Sequence, residues 1–177
     1  MYNYPFIRLI RAFLLSLFSE KVTVKDKTTI SMRCSIGDID PYWEMNNGRY
    51  QQLADIGRFD HGFRTGFFKK ALKNKISFTV VGTATKYRYR IPFGKKFTMT
   101  TKIIYVDEKW TYYYHEFIYN GRITSTILAR TGMVKNGKLV RSKEASKIFN
   151  LNIPKVELPP WVADWIKSDE SNPAFVK

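Results

Sequence analysis

Apolar and polar positions follow two different rhythms along this chain, and the change of rhythm divides it. Residues 1–20, MYNYPFIRLIRAFLLSLFSE, read as a helix. Arg8 and Arg11 are three apart on one face, while Phe6, Ile7, Leu9, Ile10, Phe13, Leu14, Leu17 and Phe18 cover most of the rest. Residues 22–36, VTVKDKTTISMRCSI, alternate in part and carry β-branched residues, which predicts a first strand. A loop follows with Asp38, Asp40 and Pro41, then a polar hinge at Asn46, Asn47 and Gly48. Beyond it Tyr50, Leu53, Ala54, Gly57 and His61 recur at helical spacing and share a face. Asn46 is placed to cap that helix, because its side-chain oxygen can accept a bond from an orphaned backbone N–H. Lys69, Lys70, Lys73 and Lys75 read as a basic connection.

From Ile76 the period becomes that of strands. ISFTVVGTATKYRYRIPF is followed by KKFTMTTKIIYVDEKWTYYYHEFIYNGRITSTILARTGMV, with turn signals at Asp107-Glu108-Lys109 and Asn120-Gly121. Asn-Gly between apolar runs is a strong hairpin signal, and Asn136-Gly137 marks one further turn. SKEASKIFNL predicts a short helix. Pro159 and Pro160 suit the entry of a further turn or two carrying Trp161, Val162, Trp165 and Ile166 on one side. The last residues read as frayed.

The order is strand, one long helix, then at least four antiparallel strands. One helix cannot cover both faces of such a sheet, so the pattern predicts an α+β fold in which a strongly curved sheet wraps around the helix. The small residues Ala54 and Gly57 allow close approach. At 177 residues the chain divides into an N-terminal amphipathic helix (1–21), one main domain (22–150) and a C-terminal tail with a short helix (151–177).

The apolar run after Arg11 is too short to span a bilayer. No A-x-A cleavage site follows it, which argues against a signal peptide. Two readings stand: an interfacial helix giving peripheral membrane contact through residues 1–20, or a helix packed on the domain or a partner subunit. The net charge of +15 predicts attraction to polyanions. No nucleic-acid motif accompanies it, so no nucleic-acid partner is expected. The single Cys34 excludes an internal disulfide and any multi-cysteine metal site, and fits a reducing, cytoplasmic setting. His61 and His115 are too isolated to be metal ligands.

The candidate chemistry lies where the acidic loop feeds the helix. A helix start presents free N–H donors and partial positive charge, which suits an anion or a polarised carbonyl. Here DIDPYWEMNNGRY resembles the signature of hotdog-fold acyl thioesterases, D-x-D-x-x-x-H-[VM]-N-N-x-x-Y. The YRYRIPFG segment and the strand pair about Asp107 are similar to that family as well. LPPWVADWIKSDESN resembles the branch typified by thioesterase superfamily member six. The resemblance covers roughly residues 25–172.

The resemblance implies a hotdog fold, a homodimer or dimer of dimers, and acyl-CoA-type sites at the subunit interface. It implies no cofactor other than coenzyme A carried as part of the substrate. In the 4-hydroxybenzoyl-CoA thioesterases an Asp before the motif Tyr is the nucleophile or general base. Counting back from Tyr50, that position is Asp40, and the backbone N–H that polarises the thioester carbonyl falls at Asn47. In the plant acyl-carrier-protein thioesterases an Asn and a His follow the Asp; those positions are Tyr42 and Glu44 here. Replacing the imidazole by Glu44 removes the usual base near neutral pH, and a carboxylate with a raised pKa would have to stand in for it. Tyr42, Asn46, Gly48, Tyr50 and Asp55 are candidate substrate-binding residues, and Lys69, Lys70, Lys86, Arg88 and Arg90 are candidate phosphate ligands. Two functions fit: hydrolysis of a fatty acyl-CoA or related thioester, or acyl or lipid binding without cleavage.

Overall fold

The computed structural model describes residues 4–150 and 156–173. Its elements run α1 (Phe6–Phe18), β1 (Thr28–Arg33), a single 3-10 turn (Ile36–Asp38), α2 (Asn47–Arg64), α3 (Phe67–Lys73), β2 (Ile76–Tyr87), β3 (Lys96–Val106), β4 (Thr111–Tyr119), β5 (Arg122–Lys135), β6 (Lys138–Leu139), α4 (Ser142–Phe149) and α5 (Pro160–Glu170).

The strands form one antiparallel sheet in the order β1-β3-β4-β5-β2, with β6 folded back on β5. The two Asn-Gly hairpins close as expected: Asn120, Gly121, Asn136 and Gly137 all take positive φ, as a two-residue turn matched to strand twist requires. Asp107 shapes the β3–β4 turn by accepting the N–H groups of Lys109 and Trp110, each at 2.7 Å. Register shifts break the ladders between Val80 and Gly82, between Ile103 and Tyr105, and between Phe117 and Ile118. Each extra residue bends its strand and raises the local twist, so the sheet curls.

α2 lies in the hollow of that curl. Tyr50, Leu53 and Ala54 are buried against Phe97, Met99, Phe117, Ile127 and Ala129. Gly57 marks the closest approach: a Cβ there would stand 2.7 Å from Met99 Cε and closer still to Thr101 Oγ1. The convex face is covered in part by α5, whose Val162 is buried and whose Trp165 meets Tyr112 edge-on.

Three local expectations change. The first strand begins at Thr28 rather than near Val22, because Asp26 accepts the backbone N–H and hydroxyl of Thr23 and holds a turn there. The lysine-rich connection is the helix α3: Gly66, at φ 71, ends the preceding helix, and Phe68 then stacks on Phe59 while Ala71 is buried. α1 settles on α2 through Ala12 and Ser16, leaving most of its large apolar side chains in solvent. The fraying expected at residues 174–177 lies outside the described residues.

Candidate functional site

Asp40 stands at the head of a tight hairpin. Ile39 pairs with Met45, the Asp40 N–H donates to Glu44 O at 3.0 Å, and the Trp43 N–H donates to Asp40 O at 3.1 Å. Pro41 supplies the fixed φ that starts such a turn, and the Asp40 carboxylate accepts the Tyr42 N–H at 2.9 Å. Trp43 closes the hairpin at φ 59, where a bulky residue costs on the order of 1–2 kcal/mol. That conformation is held from outside: Trp43 O accepts the Phe93 N–H, the two rings pack edge to face, and Glu44 bridges to Pro92. The β2–β3 connection thus acts as a brace behind the hairpin.

Asp38, two residues earlier, serves a different purpose. It is 2% exposed and takes two guanidinium groups. Arg8 of α1 approaches it in a two-pronged contact at 3.0 and 2.5 Å, and Arg49 of α2 places Nε 3.0 Å from Oδ1. It also accepts the backbone N–H and hydroxyl of Ser35. Its backbone carbonyl accepts the Asn46 N–H at 2.8 Å, which ties the loop to the start of α2.

The helix start is built as the sequence predicts. Asn46 is the N-cap, and its side chain accepts the Gly48 N–H at 2.9 Å. The Arg49 N–H goes to Asn46 O. The Asn47 N–H has no hydrogen-bond partner among the described residues, so it is the donor left over at the positive end of α2. Tyr87, at the end of β2, donates its hydroxyl to Asn47 O at 2.9 Å. It thereby fixes the first turn without consuming that N–H.

From this end, α2 and β2 run side by side in opposite directions. Gln51 bonds Thr85 at 2.6 Å, and beyond it the two elements part. A cavity of about 490 Å³ opens there, walled by Asp55, Arg58, Phe59, Phe68, Phe78 and Val80 among others. A narrower apolar space shares Phe67, Phe78, Tyr113 and Thr131 with it and reaches Phe149 of α4. Asn47 and Phe59 are twelve residues apart, about 18 Å along the helix.

A buried polar chain supports this cavity. Arg58 pairs with Asp55 and donates to His115 Nε2 at 3.0 Å, while His115 Nδ1 lies 3.0 Å from Thr101 Oγ1. A guanidinium can only donate, so Nε2 is the bare nitrogen and the imidazole proton sits on Nδ1, facing Thr101. Burial holds the His115 pKa well below its ordinary value, with Arg58 adding to the effect. Burial also pushes the Asp55 carboxyl upward, against the pull of Arg58.

Asp40, Tyr42, Glu44, Asn46, Asn47 and Gly48 are thus gathered on one hairpin and helix start. Glu44 lies 3.8 Å from Arg90, and Tyr42 is largely exposed. Tyr50 turns inward between Tyr87 and Phe117, where burial raises its hydroxyl to about 12. Asp55 stands apart, two helical turns from Asn47. The candidate phosphate ligands split into two groups. Lys86, Arg88 and Arg90 lie at the hairpin end of β2, whereas Lys69 and Lys70 belong to α3, and Lys70 is spent on Phe149 O. Cys34 is buried, its thiol raised by burial to about 11.

Sequence reasoning missed Arg8, Arg49 and Tyr87, and the link from Arg58 to His115. One signal was available. A cation in the first turn of a helix opposes the helix dipole, so Arg49 just after the Asn46 cap points to a nearby acid. Among the described residues no cluster of three His, Cys, Asp or Glu side chains could hold a metal ion.

A curled antiparallel sheet around one central helix, with an acid-bearing hairpin at the helix start, defines the hotdog fold. The chain belongs to the thioesterase-like superfamily, whose family model matches residues 34–166. It is 33% identical over 105 residues to Protein THEM6 of Danio rerio, covering 58% of this chain and 52% of that protein. It is also 33% identical over 118 residues to Protein THEM6 of Drosophila melanogaster, covering 66% and 61%. These matches therefore span between about half and two thirds of those relatives' length. Among solved structures, a 4-hydroxybenzoyl-CoA thioesterase variant complexed with 4-hydroxybenzoyl-CoA superimposes with a TM-score of 0.61 at 12% identity, covering 70% of this chain and 98% of that one.

Proposed function

We propose that this chain is a thioester hydrolase acting on acyl-CoA or a closely related acyl thioester. The observation that carries the reading is the unspent Asn47 N–H at the positive end of α2, on the same short loop as the Asp40 carboxylate. Membership of the superfamily supports the reaction class. A donor aimed at a developing oxyanion is worth most when it is fixed beforehand, and Tyr87 and Asn46 fix this one.

The thioester carbonyl oxygen accepts the Asn47 N–H. Asp40 either takes a proton from water, so that hydroxide adds to the carbonyl carbon, or adds through its own oxygen to give a mixed anhydride. In both routes the C–S bond breaks and coenzyme A leaves as the thiolate. In the first route the thiolate regains the proton held by Asp40; in the second, water opens the anhydride to the free acid and protonated Asp40, which restores its carboxylate by giving that proton to the thiolate. Glu44 contributes a second negative charge near Asp40, tempered by Arg90, and Gly48 and Tyr42 border the site. The cavity beyond Asp55 takes the far end of the acyl chain. Lys86, Arg88 and Arg90 hold coenzyme A phosphates.

A homodimer, or a dimer of dimers, belongs to the same reading. β2 is an outer strand of the sheet, long, and exposes Phe78, Val80, Val81 and Tyr87, which is what a strand awaiting a partner presents. Cytoplasmic location and a peripheral membrane seat through residues 1–20 complete it; among the described residues no helix is long and apolar enough to cross a membrane.

The test is purified protein with acyl-CoAs of graded length and a thiol reagent. Release of coenzyme A by the wild type, lost in Asp40→Asn, is expected. Silence from the wild type, with acyl-CoA still raising Tm, would establish a binding protein without hydrolysis.

A further inference from the structure

The outward face of α1 has no partner among the described residues. Ile7, Ile10, Leu14, Leu17 and Phe18 recur at helical spacing and are each 51% to 90% exposed. On the opposite side Ala12 and Ser16 are buried, and Phe13 packs against Phe63 of α2 with ring centres 5.2 Å apart. The helix is therefore held in place while its most apolar stripe faces solvent. Stripes of this size mark an interaction surface.

Beside the stripe runs a cleft of about 340 Å³ between α1, α2 and β1. Arg8, Arg11, Arg33 and Arg64 line it, against one carboxylate, Asp60. Three of the four have assigned duties. Arg8 holds Asp38, Arg33 donates to Gly94 O, and Arg64 donates to Glu20 O. Arg11 is exposed and makes no hydrogen bond or ion pair within the described residues. At 3.6 residues per turn it falls between Ile7, Leu14 and Phe18 on one side and Leu15 and Arg8 on the other, on the line where stripe and cleft meet. Lys21, bonded to Ser16 O, adds a further cation at the helix's end.

We infer that α1 and this cleft form a seat for an anionic phospholipid. The stripe enters the acyl region with the helix lying in the plane of the membrane, and Arg11 reaches the lipid phosphate at the mouth of the cleft. The occupant follows from charge and shape together. A guanidinium on the rim of an apolar stripe sits at headgroup depth once the stripe is immersed. Behind it, Arg33 and a net charge of +15 favour an anionic surface over a neutral one, Arg8 and Arg64 being paired with Asp38 and Asp60. The inference rests on the peripheral membrane contact proposed above and is independent of hydrolysis.

The test is co-sedimentation of the full chain with phosphatidylcholine vesicles and with vesicles that also contain phosphatidylserine. The wild type is expected to partition onto the anionic vesicles and much less onto the neutral ones. Arg11→Gln should lower that partition roughly fivefold, the value of one basic residue near an anionic surface, and Leu14→Ser with Phe18→Ser should abolish it. Circular dichroism and vesicle-free release of coenzyme A from acyl-CoA should match wild type in Arg11→Gln. Equal partition onto both vesicles, or no effect of Arg11→Gln, would overturn the phosphate seat. Full competition by free glycerol phosphate would overturn it in favour of a small-anion site. A change of oligomeric state in Leu14→Ser with Phe18→Ser, without vesicle binding by the wild type, would assign the stripe to a subunit interface and overturn the lipid. A chain that binds vesicles as described but hydrolyses nothing leaves this inference standing while the hydrolase reading fails.

Discussion

Arg8 and Asp38 lie 30 positions apart in sequence and meet through two parallel contacts, guanidinium fork to carboxylate, with the carboxylate 2% exposed. This pair clips α1 to the loop that presents Asp40. Arg49 shares the same carboxylate from α2, so one acid locks two helices and a hairpin together. Such a node is sensitive to the loss of its centre. Asp38→Ala leaves two guanidiniums facing each other without their counter-ion and should cost about 3–5 kcal/mol. Arg8→Ala leaves Asp38 with Arg49 and should cost about 1–3 kcal/mol. Urea midpoints of the two variants would check the ranking, and equal losses would contradict it.

Asp40 behaves in the opposite way, because it is partly exposed and bonded only within its own turn. Asp40→Asn keeps an acceptor for the Tyr42 N–H, so Tm should stay close to wild type. Release of coenzyme A should fall by about 10²- to 10⁴-fold, the usual worth of a positioned acid–base group. A fall in Tm in step with the fall in rate would point to a structural role.

The helix cap can be separated from the free donor beside it. Asn46→Ala removes the acceptor for the Gly48 N–H and should cost about 1 kcal/mol. The Asn47 N–H remains where it was, so kcat should change far less in Asn46→Ala than in Asp40→Asn. Matched losses would place the side chain of Asn46, rather than the backbone, in the reaction.

Gly57 is where α2 touches the sheet. Gly57→Ala must displace the Met99 methyl and the Thr101 hydroxyl, the latter bonded to His115. Overpacking of this kind costs about 1–3 kcal/mol. An unchanged thermal midpoint would show that the helix can lift away at no expense.

Acid should weaken the fold through its two histidines. Burial lowers the pKa of both His61 and His115 below 6.5, so between the folded and unfolded values the unfolded chain binds more protons. Stability therefore rises with pH in that window and falls as the pH drops below about 6.5. Asp55 and Asp60 act with the opposite sign, because burial raises them and their window starts from 3.8 upward. His115→Gln should flatten the loss between neutral and mildly acid pH. Parallel profiles for wild type and variant would refute the assignment.

The far cavity can be filled from its exposed rim. Thr79, on β2, lines it and is itself exposed, so Thr79→Trp is tolerable for the fold. The indole should cut turnover of long acyl-CoAs while sparing short ones. A uniform loss across chain lengths would argue against an acyl terminus lodged there.

The local features were readable before any coordinates. Asn46 as a cap and the turns at Asn120 and Asn136 follow from rules that act over a few neighbouring residues, whereas Asp40 is singled out only by the resemblance of DIDPYWEMNNGRY to a family signature. α3 was missed because its lysines hid the apolar positions Phe67, Phe68 and Ala71, whose burial depends on Phe59 and Phe78 in other elements. Trp43 at positive φ could not be inferred either, since only the brace of Pro92 and Phe93 makes that conformation bearable.

By itself, then, the sequence determined the succession of one long helix and the antiparallel strands that follow it, the wrap of sheet around that helix, and the acid that precedes the helix start. Periodicity and turn chemistry are short-range, and they leave a written pattern. The tertiary structure decided that Arg8 and Arg49 close on Asp38, that Tyr87 props Asn47, and that Arg58 reaches His115. Most of those partners stand 30 to 57 positions apart. They meet because bulges curl the sheet and the small residues Ala12, Ser16 and Gly57 let helices approach. That outcome is a sum over packing contacts throughout the chain, so no single stretch of it spells the pairing out.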